Sequence, residues 1–537
     1  MPGALPMNDA ATEFVLDQAH RPDALRQAID QAWLSDETEH VRFLLEQVNL
    51  SDEQCHKVRE RALDLVRGVR KRHRDAGLME AFMAEYDLSS EEGIVLMCLA
   101  EALLRIPDTE TAEKLISDKL SEADWEAHLG KSHSVFVNAG TWGLMLTGRL
   151  KSVGAASQRS IGNTLGRIAN RTSEPVVRAA IRQAMRIMGH QYVMGRTIDQ
   201  ALERSRRRDN RRFRHSFDML GEAAMTLVDA ERYRQGYRDA IPKVAGDAKF
   251  DDVFSAPSVS VKLSALHPRY EYTKRARLMK ELVPVVLELA VLARRHGIAL
   301  TIDAEEINRL MISLDIFAAV LRAPELDGWD GFGIVIQTYQ KSAWAVIDWL
   351  AELARDSGHR IPVRMVKGAY WDAEIKHGQV DGLDSYPVFT RKVNTDVSYI
   401  ACAGRVLDMP DAFYPQFATH NAHTVAVIAE LAGDNTEFEY QRLHGMSQPL
   451  YEEVLDSEDL KAHCRVYAPV GNHKDLLPYL VRRLLENGSN TSFVNRIVDD
   501  KLPPEEVVDD PIAKARGLSR IPHPQIPLPV DLYGSTR

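Results

Sequence analysis

Cysteine is scarce in this chain. There are four in 537 residues, at Cys55, Cys98, Cys402 and Cys464, and no two stand in C-x-x-C spacing. That pattern implies a reducing compartment and no zinc site. Long apolar runs are missing as well, so no segment reads as a membrane span. The N-terminus, Met-Pro-Gly-Ala-Leu-Pro, lacks the basic stretch and apolar run of a signal peptide. A cytoplasmic location is the expectation. Positive charge is in deficit: 67 Lys and Arg stand against 77 Asp and Glu, a net charge of −10. This argues against a nucleic-acid partner. No G-x-G-x-x-G follows the first predicted strand and no G-x-x-x-x-G-K-[ST] occurs, which weakens dinucleotide and P-loop readings.

What is present reads as a soluble globular protein, 45% hydrophobic and 27% charged. The length exceeds one ordinary core, so two or three domains are expected. Residues 1–20 lack strong periodicity. Residues 23–74 read as charged helices with thin apolar stripes: Leu44, Leu45 and Val48, then Val58, Ala62, Leu65, Val66 and Val69. A segment with so little core of its own either finds an apolar partner in another subunit or folds back on its own chain. From 77 to 194 the pattern stays helical. Ser89 and Glu92 have capping-box spacing, the apolar helix after them reads as buried, and 130–150 reads as an irregular connection. The arginine-rich stretch 204–214 contains one aromatic, Phe213, and reads as a solvated helix-to-strand connection rather than a nucleic-acid patch.

Beyond that point short β-type runs alternate with amphipathic stretches. The runs are 213–220, 259–263, 299–303, 332–337, 363–367, 416–419, 438–443 and 465–468. The predicted helices between them include 278–295, 307–321, 343–355, 394–407 and 424–432. Eight runs with intervening helices predict an α/β fold, a parallel (β/α)8 barrel, with an open doubly wound sheet as runner-up. The tail from residue 501 is punctuated by Pro503, Pro504, Pro511, Pro522, Pro524, Pro527 and Pro529 and reads as a linker or a wrapped extended segment.

Barrel active sites lie at the carboxyl ends of the strands. There the runs deliver Asp218 and Glu222, Lys262, Asp303 with Glu305 and Glu306, Gln337, Arg364 and Lys367, His420 and Asn421, Arg442 and His444, and Tyr467. Each has a structural reading. Asp303 and Lys262 suit a buried ion pair. Gln337 and Asn421 suit loop backbone groups. Tyr370 and Trp371 suit a packing pair. Their accumulation at one end favours a functional site, since a purely structural barrel has no reason to desolvate so many polar groups together. His420 and His423, near Asp303 and His444, leave a metal-dependent barrel hydrolase as an alternative. A non-enzymatic helical scaffold module is the second alternative.

The segment 477–488 follows the eighth run. As a helix it aligns Leu477, Leu480, Val481, Leu484 and Leu485 on one face and presents Arg482, Arg483 and Glu486 on the other, with Asn487-Gly488 as its stop. Alone this is a solvated face. After a strand end it is positioned to reach the barrel mouth as an anion clamp, because paired guanidiniums grip a carboxylate or phosphate bidentately.

Together the motifs Asp218-Met219-Leu220-Gly221-Glu222, Lys262-Leu263-Ser264-Ala265-Leu266-His267-Pro268-Arg269-Tyr270, Val366-Lys367-Gly368-Ala369-Tyr370-Trp371, Ala418-Thr419-His420-Asn421, Tyr467-Ala468-Pro469-Val470-Gly471 and Arg482-Arg483-Leu484-Leu485-Glu486-Asn487 resemble the proline dehydrogenase domain of the proline utilization A flavoenzymes. The resemblance extends from about residue 25 to the end. It implies a distorted (β/α)8 barrel preceded by a helical arm and an all-helical domain. The corresponding divisions are an N-terminal region and arm at 1–75, a helical domain at 76–195, the barrel at 196–500 and the tail at 501–537. It implies FAD held non-covalently, oxidation of L-proline to Δ1-pyrroline-5-carboxylate, and electron transfer to a membrane quinone, with peripheral membrane association. A homo-oligomer formed through the arm is a further expectation.

By the same resemblance Arg482, Arg483 and Lys262 bind the proline carboxylate, and Glu486 holds the arginines. Tyr467 packs on the ring, Asp303 orients the pocket beside Asp218, and Tyr370 adds to the substrate site. Arg364 stands by flavin N5. Gln337, Lys367, Gly368, Tyr370, Trp371, Thr390, Thr395, His420, Asn421, Arg483 and Glu486 complete the FAD shell. No metal is implied. Complete family members carry an aldehyde dehydrogenase domain after the tail, and some a ribbon-helix-helix domain before the arm. The chain is therefore expected to make pyrroline-5-carboxylate without oxidising it to glutamate, and not to repress transcription. Ser447 stands where the family suggests glycine.

Overall fold

The computed structural model describes residues 23–75, 192–246, 250–460, 462–471, 479, 482, 493–498, 502–532 and 534. The chain divides into two compact units, one of residues 1–75, 193–475 and 496–537, the other of 76–192 and 476–495. The predicted capping box at Ser89, the apolar helix after it and the 130–150 connection lie outside the described residues, as do Arg483 and Glu486. Arg482 is described and is helical.

The first unit contains the expected (β/α)8 barrel. Eight parallel strands close on themselves in sequence order: β1 Arg214–Met219, β2 Ser258–Val261, β3 Ala299–Ile302, β4 Phe332–Gln337, β5 Ile361–Val366, β6 Phe413–Ala418, β7 Glu439–Leu443 and β8 His463–Val470. Each strand is covered on both faces, which is why the runs read as nearly continuous buried sequence. Three arm helices, α1 Ala24–Trp33, α2 Glu37–Gln47 and α3 Asp52–Asp75, and a connecting helix, α4 Ile198–Ser205, precede the barrel. The main barrel helices are α5 Leu227–Ala245, α6 Val283–Arg295, α7 Leu310–Leu321, α8 Ala343–Ser357, α9 Trp371–Asp381, α10 Lys392–Leu407, α11 Ala422–Ala432 and α12 Gln448–Asp456.

Local chemistry sets the helix ends. Asp23 and Asp36 cap α1 and α2, accepting the N–H of Arg26 at 2.7 Å and of Glu39 at 3.0 Å. Thr226 and Asp229 form a reciprocal capping box at the start of α5. The helix predicted over 278–295 is in fact two, Arg275–Glu281 and α6. Pro284 lacks an N–H and its ring opposes the preceding turn, so it begins a new helix instead of continuing the old one.

The arm folds back on its own barrel. Its predicted apolar stripe, from Leu44 to Val69, is buried, with α1 against α8, α2 against α10, and α3 against α11 and α12. Charged edges fasten it. Arg26 pairs with Asp315 at 2.8 Å and lies 4.0 Å over the Trp349 ring, Arg61 pairs with Glu430 at 3.3 Å, and Arg72 pairs with Glu453 and, at 2.6 Å, with Asp456.

The buried carboxylate of Glu37 makes the central clasp. It accepts the Thr390 N–H at 2.9 Å, the Thr390 hydroxyl at 2.8 Å and the Asn394 amide at 2.7 Å. The Pro-rich tail returns to the same place: the His523 N–H donates to the Thr390 hydroxyl at 2.8 Å, and Asn394 donates to the Ile521 carbonyl at 3.1 Å. Replacing Glu37 by Ala strands these buried donors, so Glu37→Ala is expected to cost about 2 kcal/mol and to expose the arm to protease. Unchanged urea unfolding and an uncut arm would refute this account of its attachment.

Candidate functional site

In parallel strands, paired residues face the same side of the sheet, so the registers identify the barrel lining. Ser216 pairs with Ser258 and Tyr467, Thr301 with Ser260, Val335 with Arg364, Arg364 with Gln416, and Gln416 with Glu439. Barrel interiors are ordinarily filled by branched apolar residues. This one holds two stacked polar networks.

The network at the carboxyl end unites five residues singled out in the sequence: Asp218 of β1, Lys262 after β2, Asp303 after β3, Arg364 of β5 and Tyr467 of β8. The Lys262 ammonium lies 3.0 Å from Asp218 Oδ2, 3.2 Å from Asp303 Oδ2 and 3.3 Å from the Tyr467 hydroxyl. That hydroxyl lies 2.7 Å from Asp218 Oδ2 and 2.5 Å from Asp303 Oδ2. Arg364 Nη1 donates to Asp303 Oδ1 at 2.7 Å, its Nη2 donates to the Ser216 and Ser260 hydroxyls at 3.0 Å each, and its guanidinium carbon lies 5.1 Å from the Tyr467 ring centre.

Burial pushes the Asp218 carboxyl up, and Asp303 adds to that shift against the pull of Lys262. Burial acts the same way on Asp303, but Lys262 and Arg364 outweigh it and hold the carboxyl below its ordinary value. For Lys262, burial is outweighed by Asp218, Tyr467 and Asp303, which raise it well above the usual range. The Tyr467 phenol is pushed well up by burial and by both carboxyls. At neutral pH, Lys262 is a cation, Tyr467 a neutral phenol and Asp303 an anion.

Ser216 and Ser260 were missed in the sequence. Each lies two residues before a polar group that was found, Asp218 and Lys262, and strand alternation puts i and i+2 on one face. That spacing was the available signal.

The residues expected around a cofactor are spread along the neighbouring strand ends. Gln337 donates to the Glu305 carbonyl at 2.8 Å, and Lys367 pairs with Asp396. Gly368 has φ +131°, and a Cβ there would meet the Tyr339 ring at 2.5 Å, so only glycine fits. Tyr370 and Trp371 pack against Tyr339, Ile375, Tyr386 and Val388, and the indole N–H donates to the Phe389 carbonyl at 2.8 Å. Thr395 is buried on α10. His420 follows β6 and is half-buried. Asn421 caps α11, accepting from the His423 N–H at 2.8 Å and the Thr424 N–H at 3.3 Å. Thr390 donates to Glu37 and accepts from the His523 N–H of the tail. Ser447 adopts φ +50°, ψ +29°, the left-handed conformation that explains a preference for glycine at that position.

The network at the amino end centres on Glu439. Its carboxylate accepts from Arg465 Nε at 2.5 Å and Nη2 at 3.0 Å, from Arg214 at 3.2 Å, and from Gln416 and Gln441 at 2.9 and 3.0 Å. Burial would raise this carboxyl, but Arg465 and Arg214 outweigh it and the net shift is downward. Among the described residues, no group of three or more His, Cys, Asp or Glu side chains is arranged to hold a metal ion, so the hydrolase alternative finds no ligand set there. Likewise, no described helix is long and apolar enough to cross a membrane.

The two networks predict different phenotypes. Removing the Glu439 charge leaves buried arginines unpaired, so Glu439→Gln is expected to lower unfolding free energy by about 3 kcal/mol. Because the folded carboxyl is shifted down, its stabilisation is complete above the unfolded value of about 4.3 and disappears as pH falls through the folded value. The stability gap between wild type and variant should therefore close in acid, as read from chemical unfolding at several pH values. A gap that widens in acid contradicts the ion-pair assignment.

A family model described as Proline dehydrogenase matches residues 201–496. A second, Proline utilization A proline dehydrogenase N-terminal domain, matches residues 23–70. A third, DNA-binding domain of Proline dehydrogenase, matches residues 78–192. That label stands beside the charge argument against a nucleic-acid partner, and 78–191 lie outside the described residues. The chain is 49% identical over 540 residues to Bifunctional protein PutA of Klebsiella aerogenes, covering 98% of this chain and 41% of that one. It is 50% identical over 527 residues to the Escherichia coli K12 protein of the same name, covering 95% and 40%. The chain thus spans about two fifths of the length of these relatives.

Among solved structures, proline utilization A with proline bound in remote sites aligns with TM-score 0.73 at 47% identity, covering 94% of this chain and 50% of that one. A variant of the Bradyrhizobium japonicum protein aligns with TM-score 0.72 at 45% identity, over the same shares of the two chains. On these grounds the chain belongs to the proline dehydrogenase family.

Proposed function

We propose that this chain oxidises L-proline to Δ1-pyrroline-5-carboxylate using FAD and delivers the electrons to a quinone, the first step of proline catabolism. The observation that carries the reading is the buried network at the strand ends: Lys262, Arg364, Asp303, Asp218 and Tyr467 gathered in a chain of this family. The residues suit a flavin. Arg364 is buried, and its Nε has no hydrogen-bond partner among the described residues. Gly368 keeps the start of the β5–α9 loop free of a side chain. Lys367 adds a partly exposed cation. FAD, when bound, supplies the acceptor for a hydride from the substrate ring.

The protein's own task is then to bind, orient and exclude water. Arg482, Arg483 and Lys262 are assigned the substrate carboxylate. Among the described residues the Lys262 ammonium bonds to Asp218, Asp303 and Tyr467, so an incoming carboxylate takes the place of one of them. Asp303, held ionised, fixes Lys262, Arg364 and Tyr467 relative to one another. Fixed groups lose little entropy when the substrate arrives. The ring nitrogen must be neutral for hydride loss, since its lone pair forms the iminium, and water is assigned that proton. A cation such as Arg364 beside the hydride acceptor favours the reduced state. Peripheral contact with the membrane carrying the quinone belongs to the same proposal.

Purified protein is expected to be yellow with a flavin spectrum and to bleach when proline is added without oxygen. A colourless protein that does not take up added FAD overturns the assignment. Arg483→Met should raise the proline KM by about 100-fold, the loss of one charge-assisted contact of about 3 kcal/mol, while the flavin absorbance is retained. Unimpaired turnover in that variant would remove Arg483 from the clamp.

A further inference from the structure

The Tyr467 hydroxyl makes more contacts than it has protons. It lies 2.7 Å from Asp218 Oδ2 and 2.5 Å from Asp303 Oδ2. Separations this short between oxygens are those of O–H···O bonds. A phenol carries one hydrogen and can fill one of the two contacts. The other then needs a proton on the carboxyl. Lys262 does not supply it, because its N–H groups point at these oxygens from Nζ, 3.0–3.3 Å away, and not along the lines between them.

Charge decides which carboxyl holds the proton. Asp303 faces two cations, Lys262 at Oδ2 and Arg364 at Oδ1. Among the described residues, Asp218 pairs with one cation, Lys262, and its Oδ1 has no hydrogen-bond partner. We propose that Asp218 is a neutral carboxylic acid in the resting protein, donating from Oδ2 to the Tyr467 hydroxyl, which in turn donates to the ionised Asp303. The opposite shifts of the two carboxyls agree: burial raises Asp218, while the two cations hold Asp303 down. The groups facing this pair are Lys262 after β2, Arg364 of β5, Tyr467 of β8 and Tyr237 of α5, with Glu222 acting on Lys262. Tyr237 is a neutral phenol, raised by burial.

Two consequences follow. With Asp218 neutral, the cluster of Lys262, Arg364, Asp303 and Asp218 has one net positive charge instead of none, which suits an anionic substrate. Asp218 is also removed from the groups able to take a proton from the substrate in the resting state. The inference deepens the proposed function but stands on the barrel geometry alone.

Isotope-edited infrared spectroscopy tests it on the full chain without substrate. With aspartate carboxyl carbons ¹³C-labelled, wild type at pH 8 should show a label-shifted, D2O-sensitive carbonyl band of a protonated acid, equivalent to one group per chain. Labelling aspartate separates it from Glu305 and Glu374, whose carboxyls burial also raises. The band should vanish in Asp218→Asn, whose remaining carboxyl, Asp303, still faces Lys262 and Arg364. No labelled band in wild type, or a band of undiminished intensity in Asp218→Asn, overturns the assignment. Absence of the band in wild type overturns the proposal even where the variant does not fold. Failure of proline to bleach the protein counts against the proposed function and leaves this band untouched.

Discussion

One phenol between two buried carboxyl groups organises the centre of this protein. Tyr467, Asp218 and Asp303 meet around the Lys262 ammonium, and Arg364 closes the circuit through Asp303, Ser216 and Ser260. Burying so many charges is costly unless nearly every group is paired. Five strands must therefore keep mutual register for the network to exist: a shift of one residue would turn each side chain to the outer face. The polar interior that such a barrel would ordinarily avoid is thus a constraint that holds these polar side chains in one geometry.

The second network makes the opposite use of the same chemistry. Glu439 and Arg465 lie at the amino end of the barrel, where the arginine also donates to the Ala256 carbonyl at 2.8 Å and the His215 carbonyl at 3.3 Å. Besides Glu439 its partners are strand and loop backbone, so it ties β1, β7 and β8 to the segment before β2, at the end of the barrel opposite the proposed substrate site. This division of labour is the one barrels generally show, with stability at the amino end and chemistry at the carboxyl end. The arm and tail add a third fastening at Glu37, Thr390 and Asn394, on the outside of the barrel. It joins segments far apart in the chain at the start of α10.

Much of the fold was legible because burial leaves a pattern. All eight strand runs fall on observed strands, since a strand covered on both faces must be apolar along its length while its inward positions can still hold charge. The misreading at 278–295 arose from following periodicity past Pro284, where backbone chemistry overrides the apolar stripe. Ser447 was legible as a departure from the family pattern, and its positive φ gives the reason. Ser216 and Ser260 were missed: their i, i+2 spacing puts them on the face of Asp218 and Lys262, but only the Arg364 guanidinium, arriving from another strand, gives that face its partner.

By itself the sequence determined the barrel, the polar character of its strand ends and the family, because each depends on local pattern or on ordered motifs. Only the tertiary structure decided how the arm docks, that Lys262 touches both Asp218 and Asp303, that Thr390 serves the arm and tail, and that Tyr467 stands between those two residues. These are contacts between residues 41 to 353 positions apart. Such pairings follow from strand register and barrel closure, and their chemistry depends on distances of a few tenths of an ångström that no spacing along the chain encodes.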